Sequence, residues 1–152
     1  HEWSPMRLTK EGEYAVRIIL FLAAQEPGTA ANRRLISDRM DIPYHFLGKI
    51  GPKLAAAGLI DIMQGSKGGY RLNRPAGKIT LLDVVEAVEG EIPLNDCVVK
   101  PDVCGRAGFC PVHKAWGDAR DKLRESLSSA NFEQMAACDA SLVNGAVKDA
   151  VK

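Results

Sequence analysis

In Ala57-Gly58-Leu59-Ile60-Asp61-Ile62-Met63-Gln64-Gly65-Ser66-Lys67-Gly68-Gly69-Tyr70-Arg71-Leu72 the pattern changes at Gly58. Helical spacing stops there, as it does where a glycine closes a helix. Residues 59–63 read as a strand, residues 65–69 as a glycine-rich basic tip, and residues 70–72 as the returning strand. What precedes the hairpin gives it a meaning.

Upstream lie three helical segments. The first spans residues 8–25, with Thr9 as its cap, Glu11 and Glu13 in the first turn, and Tyr14, Ile18, Phe21 and Leu22 on one apolar face. Pro27-Gly28 ends it. The second spans residues 32–40, capped by Asn32, with Leu35, Ile36 and Met40 expected inward. Asp41-Ile42-Pro43 is a tight turn, and the third helix follows over residues 44–57. Two short helices joined by a few residues form a helix-turn-helix layout, so the hairpin behind them is a wing.

Downstream, Thr80 caps a helix carrying Leu81, Leu82, Val84, Val85 and Val88, which Gly90 ends. Residues 91–110 carry little regular signal. Pro111 opens a long amphipathic helix reaching residue 130, with the stripe Val112, Ala115, Trp116, Ala119, Leu123 and Leu127. Asn131 caps a last helix with Phe132, Met135, Ala136 and Leu142, where Cys138 reads as a small core residue. The fold class is mainly α with a small β hairpin: a winged helix-turn-helix plus a long dimerisation helix. The expected segments are a winged-helix DNA-binding domain over 6–90, a loop over 91–110 that carries Cys97, Cys104 and Cys110 and is read below as cluster-binding, and helices over 111–147 whose apolar stripe suits dimerisation or packing on the chain's own domain.

Composition narrows the function. Of 152 residues 46% are hydrophobic, enough for a packed core, and only 6% are aromatic. The net charge is +1, so any nucleic-acid contact must come from clustered basic groups. The stretch from Arg7 to Arg74 is such a region, since most of the acids lie outside it. There is no run of eighteen apolar residues to span a membrane. Residues 1–5 lack the shape of a signal peptide, Met6 reads as the natural start, and the chain is expected to be cytoplasmic. No phosphate-binding glycine loop or catalytic constellation emerges, so an enzyme is not expected.

A recognition helix turns its exposed face to the major groove while nearby cations neutralise phosphates. The candidates for double-stranded promoter DNA are Arg7, Arg33, Arg34, Tyr44, His45, Lys49 and Lys53, with Gln64, Ser66 and Lys67 in the wing. Lys49 and Lys53 also suit a merely solvated helix face. Within this helix, Gly48-Lys49-Ile50-Gly51-Pro52 is unusual. Proline costs a helix about 3 kcal/mol and glycine about 1, so a kink or a new turn is expected at Pro52.

The cysteines carry the second theme: Cys97-x6-Cys104-x5-Cys110-x2-His113. In a reducing compartment clustered cysteines are more often metal ligands or redox centres than structural disulfides. The spacing is wider than the Cys-x2-Cys knuckles of structural zinc and suits a polynuclear iron–sulfur centre. A redox-switched disulfide and a zinc site are the alternatives.

These motifs together resemble the IscR/NsrR (Rrf-type) regulators. The resemblance rests on Met6-Arg7-Leu8-Thr9, Glu13-Tyr14-Ala15-Val16, Ala57-Gly58-Leu59-Ile60, the wing through Leu72, and Ile79-Thr80-Leu81-Leu82-Asp83-Val84-Val85. The cysteine loop followed by His113-Lys114-Ala115-Trp116 completes it, over about residues 6–127. It implies a homodimeric winged-helix repressor or activator whose cluster reports iron–sulfur supply, nitric oxide or redox stress. It also implies a fourth ligand: His113, or an acid of the first helix reaching across from the partner subunit, where Glu13 stands. His113 is favoured, being local to the loop and the softer donor. It implies a two-iron cluster, whereas Glu13 leaves room for a four-iron one. The first cysteine gap is one residue longer than the commonest pattern. Gly48 stands where a relative reads a base with a carboxylate, so operator specificity does not carry over.

Overall fold

The computed structural model describes residues 8–91 and 110–143. Helix α1 (Lys10–Ala23) is capped by Thr9, whose side chain accepts from the Gly12 N–H. Helices α2 (Arg33–Met40) and α3 (Tyr44–Ala56) follow, then strands β1 (Ile60–Met63) and β2 (Gly69–Leu72). A short 3-10 turn (Ala76–Lys78) leads to α4 (Leu81–Glu89). After the undescribed residues 92–109 come α5 (Pro111–Ser128), α6 (Phe132–Cys138) and α7 (Ala140–Val143). The expected mainly helical fold with one antiparallel hairpin is what forms.

Helix α1 is the centre of the core. Its residues Ala15, Ile18, Ile19, Phe21 and Leu22 are buried, and it packs against α4, α6, α3 and α2. Ile36 of α2, Leu47, Ile50 and Leu54 of α3, and Val84 of α4 close around it. Helix α4 begins with a full capping box, in which Thr80 and Asp83 satisfy each other's main-chain N–H groups.

The hairpin register pairs Ile60 with Leu72, Asp61 with Arg71, Ile62 with Tyr70 and Met63 with Gly69. The connection between α1 and α2 also pairs with the outer edge of β2, since Ala31 and Tyr70 exchange two 2.8 Å main-chain hydrogen bonds. Gly69 makes this approach possible. Its φ is +144°, and a Cβ there would overlap the Ala31 carbonyl.

Four expectations need correction. Leu35, expected inward, is 42% exposed, because Ile36 and Ser37 take the buried side of α2. Of the kink or new turn expected at Pro52, the new turn does not form: helix α3 runs through that residue. Gly48 and Pro52 both lie on its exposed side, where water can replace the hydrogen bond proline cannot donate. Cys138 is exposed, not a core residue. The last helix is two short ones, interrupted at Asp139.

Phe132 of α6 belongs to the same core as α1, and Met135 packs against it. The junction is tight: Leu81 N–H bonds to the Ala130 carbonyl at 2.8 Å and Phe132 N–H to the Ile79 carbonyl at 3.0 Å. Helix α5 differs, for none of its residues is buried. It is fastened to the winged part by ion pairs, Arg124 to Glu86 and Arg120 to Glu91. Trp116 and Leu127 are half-buried, while Val112, Ala115, Ala119 and Leu123 form an exposed apolar row. One stripe in the sequence is thus split between two faces.

Candidate nucleic-acid interface and cysteine site

Helix α3 begins at Tyr44 because Pro43 cannot continue the turn before it, and its buried residues Leu47, Ile50, Gly51 and Leu54 fix which face stays outside. That face carries Tyr44, His45, Gly48, Lys49, Pro52 and Lys53. The His45 ring lies 4.6 Å from Phe46. Gln64, Ser66 and Lys67 stand exposed in the wing. The hairpin and α3 enclose a cleft, with Arg33, Arg34, Tyr44, Gly48 and Gln64 among its walls.

The charges on this side are unequally engaged. Lys53 binds Glu11 of α1 at 2.6 Å, and Lys49 reaches the same carboxylate at 4.0 Å. Arg71 pairs with Asp61 across the hairpin. Arg33 and Arg34 instead stack on the Tyr44 ring, with guanidinium carbons 5.6 and 4.0 Å from its centroid. Arg7, also a candidate, lies outside the described residues.

Two residues that sequence reasoning passed over organise this surface. Tyr70 is 2% exposed and donates a 2.6 Å hydrogen bond to the Leu47 carbonyl of α3. Gly51 gives it room, because a Cβ there would overlap the Tyr70 hydroxyl. Burial pushes the Tyr70 pKa up, against the opposing charge of Arg33. A glycine inside a helix, as at Gly51, was the available signal of a close approach. Glu11, the other, reads from sequence only as a first-turn acid.

Of the cysteine motif, Cys97 and Cys104 lie outside the described residues. Cys110 is half-buried at the N-cap of α5, and His113 follows in its first turn. The Nδ1 of His113 is shut off from solvent and has no hydrogen-bond partner among the described residues. Glu13 is held by Lys10 at 3.3 Å, with 42% of its side chain exposed.

The profile of Rrf2, described as an iron-dependent transcriptional regulator, matches residues 8–138. The chain belongs to the Rrf2 family. The transcriptional regulator IscR of Xenorhabdus nematophila is 31% identical over 130 residues, which is 86% of this chain and 79% of that one. Protein aau3 of Rhizobium meliloti is 33% identical over 132 residues, covering 86% and 84%. Among solved structures, CymR of B. subtilis, the global cysteine regulator, superposes with a TM-score of 0.71 at 24% identity, covering 89% of this chain and 99% of that one. IscR of T. potens superposes with a TM-score of 0.66 at 21% identity, covering 89% and 90%. These two carry the fold alone. As an Rrf2 protein the chain is a transcriptional regulator and not an enzyme. Among the described residues no helix is long and apolar enough to cross a membrane.

Proposed function

We propose that this chain is a cytoplasmic homodimeric regulator whose affinity for promoter DNA is set by an iron–sulfur cluster on Cys97, Cys104, Cys110 and His113. The observation that carries the cluster reading is the orphaned Nδ1 of His113, one helical turn beyond Cys110. A polar atom shut off from water without a partner costs roughly 1–3 kcal/mol, a cost that coordination by the ring would offset. Three thiolates and one imidazole fit such a centre, and two irons suit this donor set. Glu13 is the alternative fourth ligand, with a four-iron cluster. When bound, the cluster supplies a site that reacts with oxidants and nitric oxide.

The chain's own residues connect that site to DNA. Cys110 and His113 open α5, Arg120 and Arg124 tie α5 to the end of α4, and α4 packs against α1 and α3. A shift in the first turn of α5 therefore bears on the helix that meets DNA. The exposed row Val112, Ala115, Ala119 and Leu123 supports pairing with a second copy, as regulators pair to match two half-sites. DNA would be met by Arg7, Arg33, Arg34, Tyr44, His45, Lys49, Lys53, Gln64, Ser66 and Lys67.

The test is an anaerobic absorption spectrum with iron and sulfide analysis. Visible absorbance with stoichiometric iron and sulfide, lost in Cys104→Ala, is the expected result; His113→Ala and Glu13→Ala then assign the fourth ligand. A colourless wild type that resists anaerobic reconstitution overturns the cluster and assigns the cysteines to a thiol–disulfide switch.

A further inference from the structure

An element in the major groove and a second element reaching the neighbouring minor groove must straddle the sugar–phosphate strand between them. Recognition helix α3 and the wing are two such elements, and the cleft between them is where that strand must pass. Its walls are suited to a phosphodiester. Gly48 contributes no side chain, and the Arg33 Nη1 lies 3.7 Å from where a Cβ would stand. Arg33 and Arg34 enter from α2 and share the Tyr44 ring as a platform.

The charge balance singles out the same two residues. Of Lys49 and Lys53, the cations most obvious from sequence, Lys53 is already paired with Glu11 at 2.6 Å, while the exposed Lys49 only approaches the same single carboxylate at 4.0 Å. Among the described residues Arg33 and Arg34 have no carboxylate partner. Two uncompensated guanidinium groups stacked on one aromatic ring are ordered in advance, and their planar forks match phosphate oxygens. Engaging a phosphate costs them no existing ion pair, as it would for Lys53.

We infer that Arg33 and Arg34, held on Tyr44, clamp the DNA phosphodiester strand that crosses between α3 and the wing, and that Glu11 weakens the contribution of Lys53 at the same surface. The inference rests on the DNA-binding reading above and adds which contacts carry its electrostatics.

The experiment measures the affinity of the full-length protein for a mixed-sequence DNA duplex as a function of salt. Each phosphate contact contributes about 0.9 to the slope of log affinity against log salt. Arg33→Ala/Arg34→Ala is expected to reduce the slope by about 1.8 per subunit, about 3.6 for a bound dimer, while Lys53→Ala changes it by less than about 0.9 per subunit. Glu11→Gln is expected to strengthen binding several-fold by releasing Lys53. Arg33→Lys/Arg34→Lys, which keeps the charge and loses the planar fork, should retain the slope and bind several-fold more weakly. It decides the matter if the alanine pair unfolds. An arginine pair whose removal leaves the slope unchanged, or lysine replacements that bind like the wild type, overturns the clamp and leaves the DNA-binding reading standing. A wild type that binds no duplex at low salt overturns both.

Discussion

The hydroxyl of Tyr70, in the wing, donates a 2.6 Å hydrogen bond to the main-chain carbonyl of Leu47, in the recognition helix. The two elements proposed to face DNA are therefore joined through the protein interior, and Gly51 is the residue that lets them meet. An alanine at position 51 would suit the helix better by about 1 kcal/mol on propensity alone. The overlap with Tyr70 reverses that sign. Gly51→Ala is expected to destabilise by about 1–3 kcal/mol, and Tyr70→Phe by about 1 kcal/mol. The double variant should lose somewhat less than the sum, because removing the hydroxyl relieves the closest contact but leaves the ring carbon Cζ 2.4 Å from the added Cβ. Urea unfolding of the three variants measures this coupling, and strict additivity would contradict it.

The same tyrosine sets an alkaline limit. Burial raises its pKa above the ordinary value of about 10. The folded state thus holds the phenolic proton more tightly than the unfolded chain does. Stability from this source is complete below about pH 10 and is lost as the pH climbs through the folded pKa. Between about pH 9 and 11 the wild type should lose stability more steeply than Tyr70→Phe. Parallel slopes in chemical unfolding would count against the assignment.

Helix α6 gives a test of how the C-terminal part is integrated. Phe132 is fully buried beside α1, and its N–H bonds to the Ile79 carbonyl. Phe132→Ala should therefore cost about 3–5 kcal/mol and lower the stability of the winged part itself. Thermal unfolding should remain a single transition at lower temperature. A separate early transition would mean that α6 folds on its own.

Helix α5 should respond differently. Its ion pairs with α4 are partly exposed, so Glu86→Ala is expected to cost only about 0.5–1 kcal/mol. Leu123→Asp, on the exposed apolar row, should leave the fold intact and turn the proposed dimer into a monomer in sedimentation. A Leu123→Asp protein that still sediments as a dimer would exclude this row from the subunit contact.

The helix-turn-helix and wing were legible because the signals are local. Thr9, Asn32 and Thr80 each cap a helix, and Gly58 takes a positive φ of +76° at the end of α3. What stayed hidden depends on contacts between distant residues. Leu35 and Cys138 read as apolar and therefore internal, but the buried arcs of α2 and α6 are too narrow to include them. Pro52 read as a kink or the start of a new turn, yet α3 continues through it, with the proline on the exposed side. Lys49 and Lys53 read as open cations because nothing in their own helix announces Glu11, 42 positions before Lys53. For the cysteine site, the sequence offered the donor types and spacing, and the orphaned Nδ1 of His113 adds a physical need for a partner.

The central claim is that the state of the cysteine site controls DNA binding, and the most direct test compares matched preparations of the same protein. Affinity for its own promoter should be measured anaerobically, at one fixed salt concentration, for the cluster-loaded dimer and for the same dimer after the cluster is removed. The account expects the two affinities to differ by tenfold or more, a difference abolished in Cys104→Ala. Equal affinities for loaded and stripped dimers would contradict it.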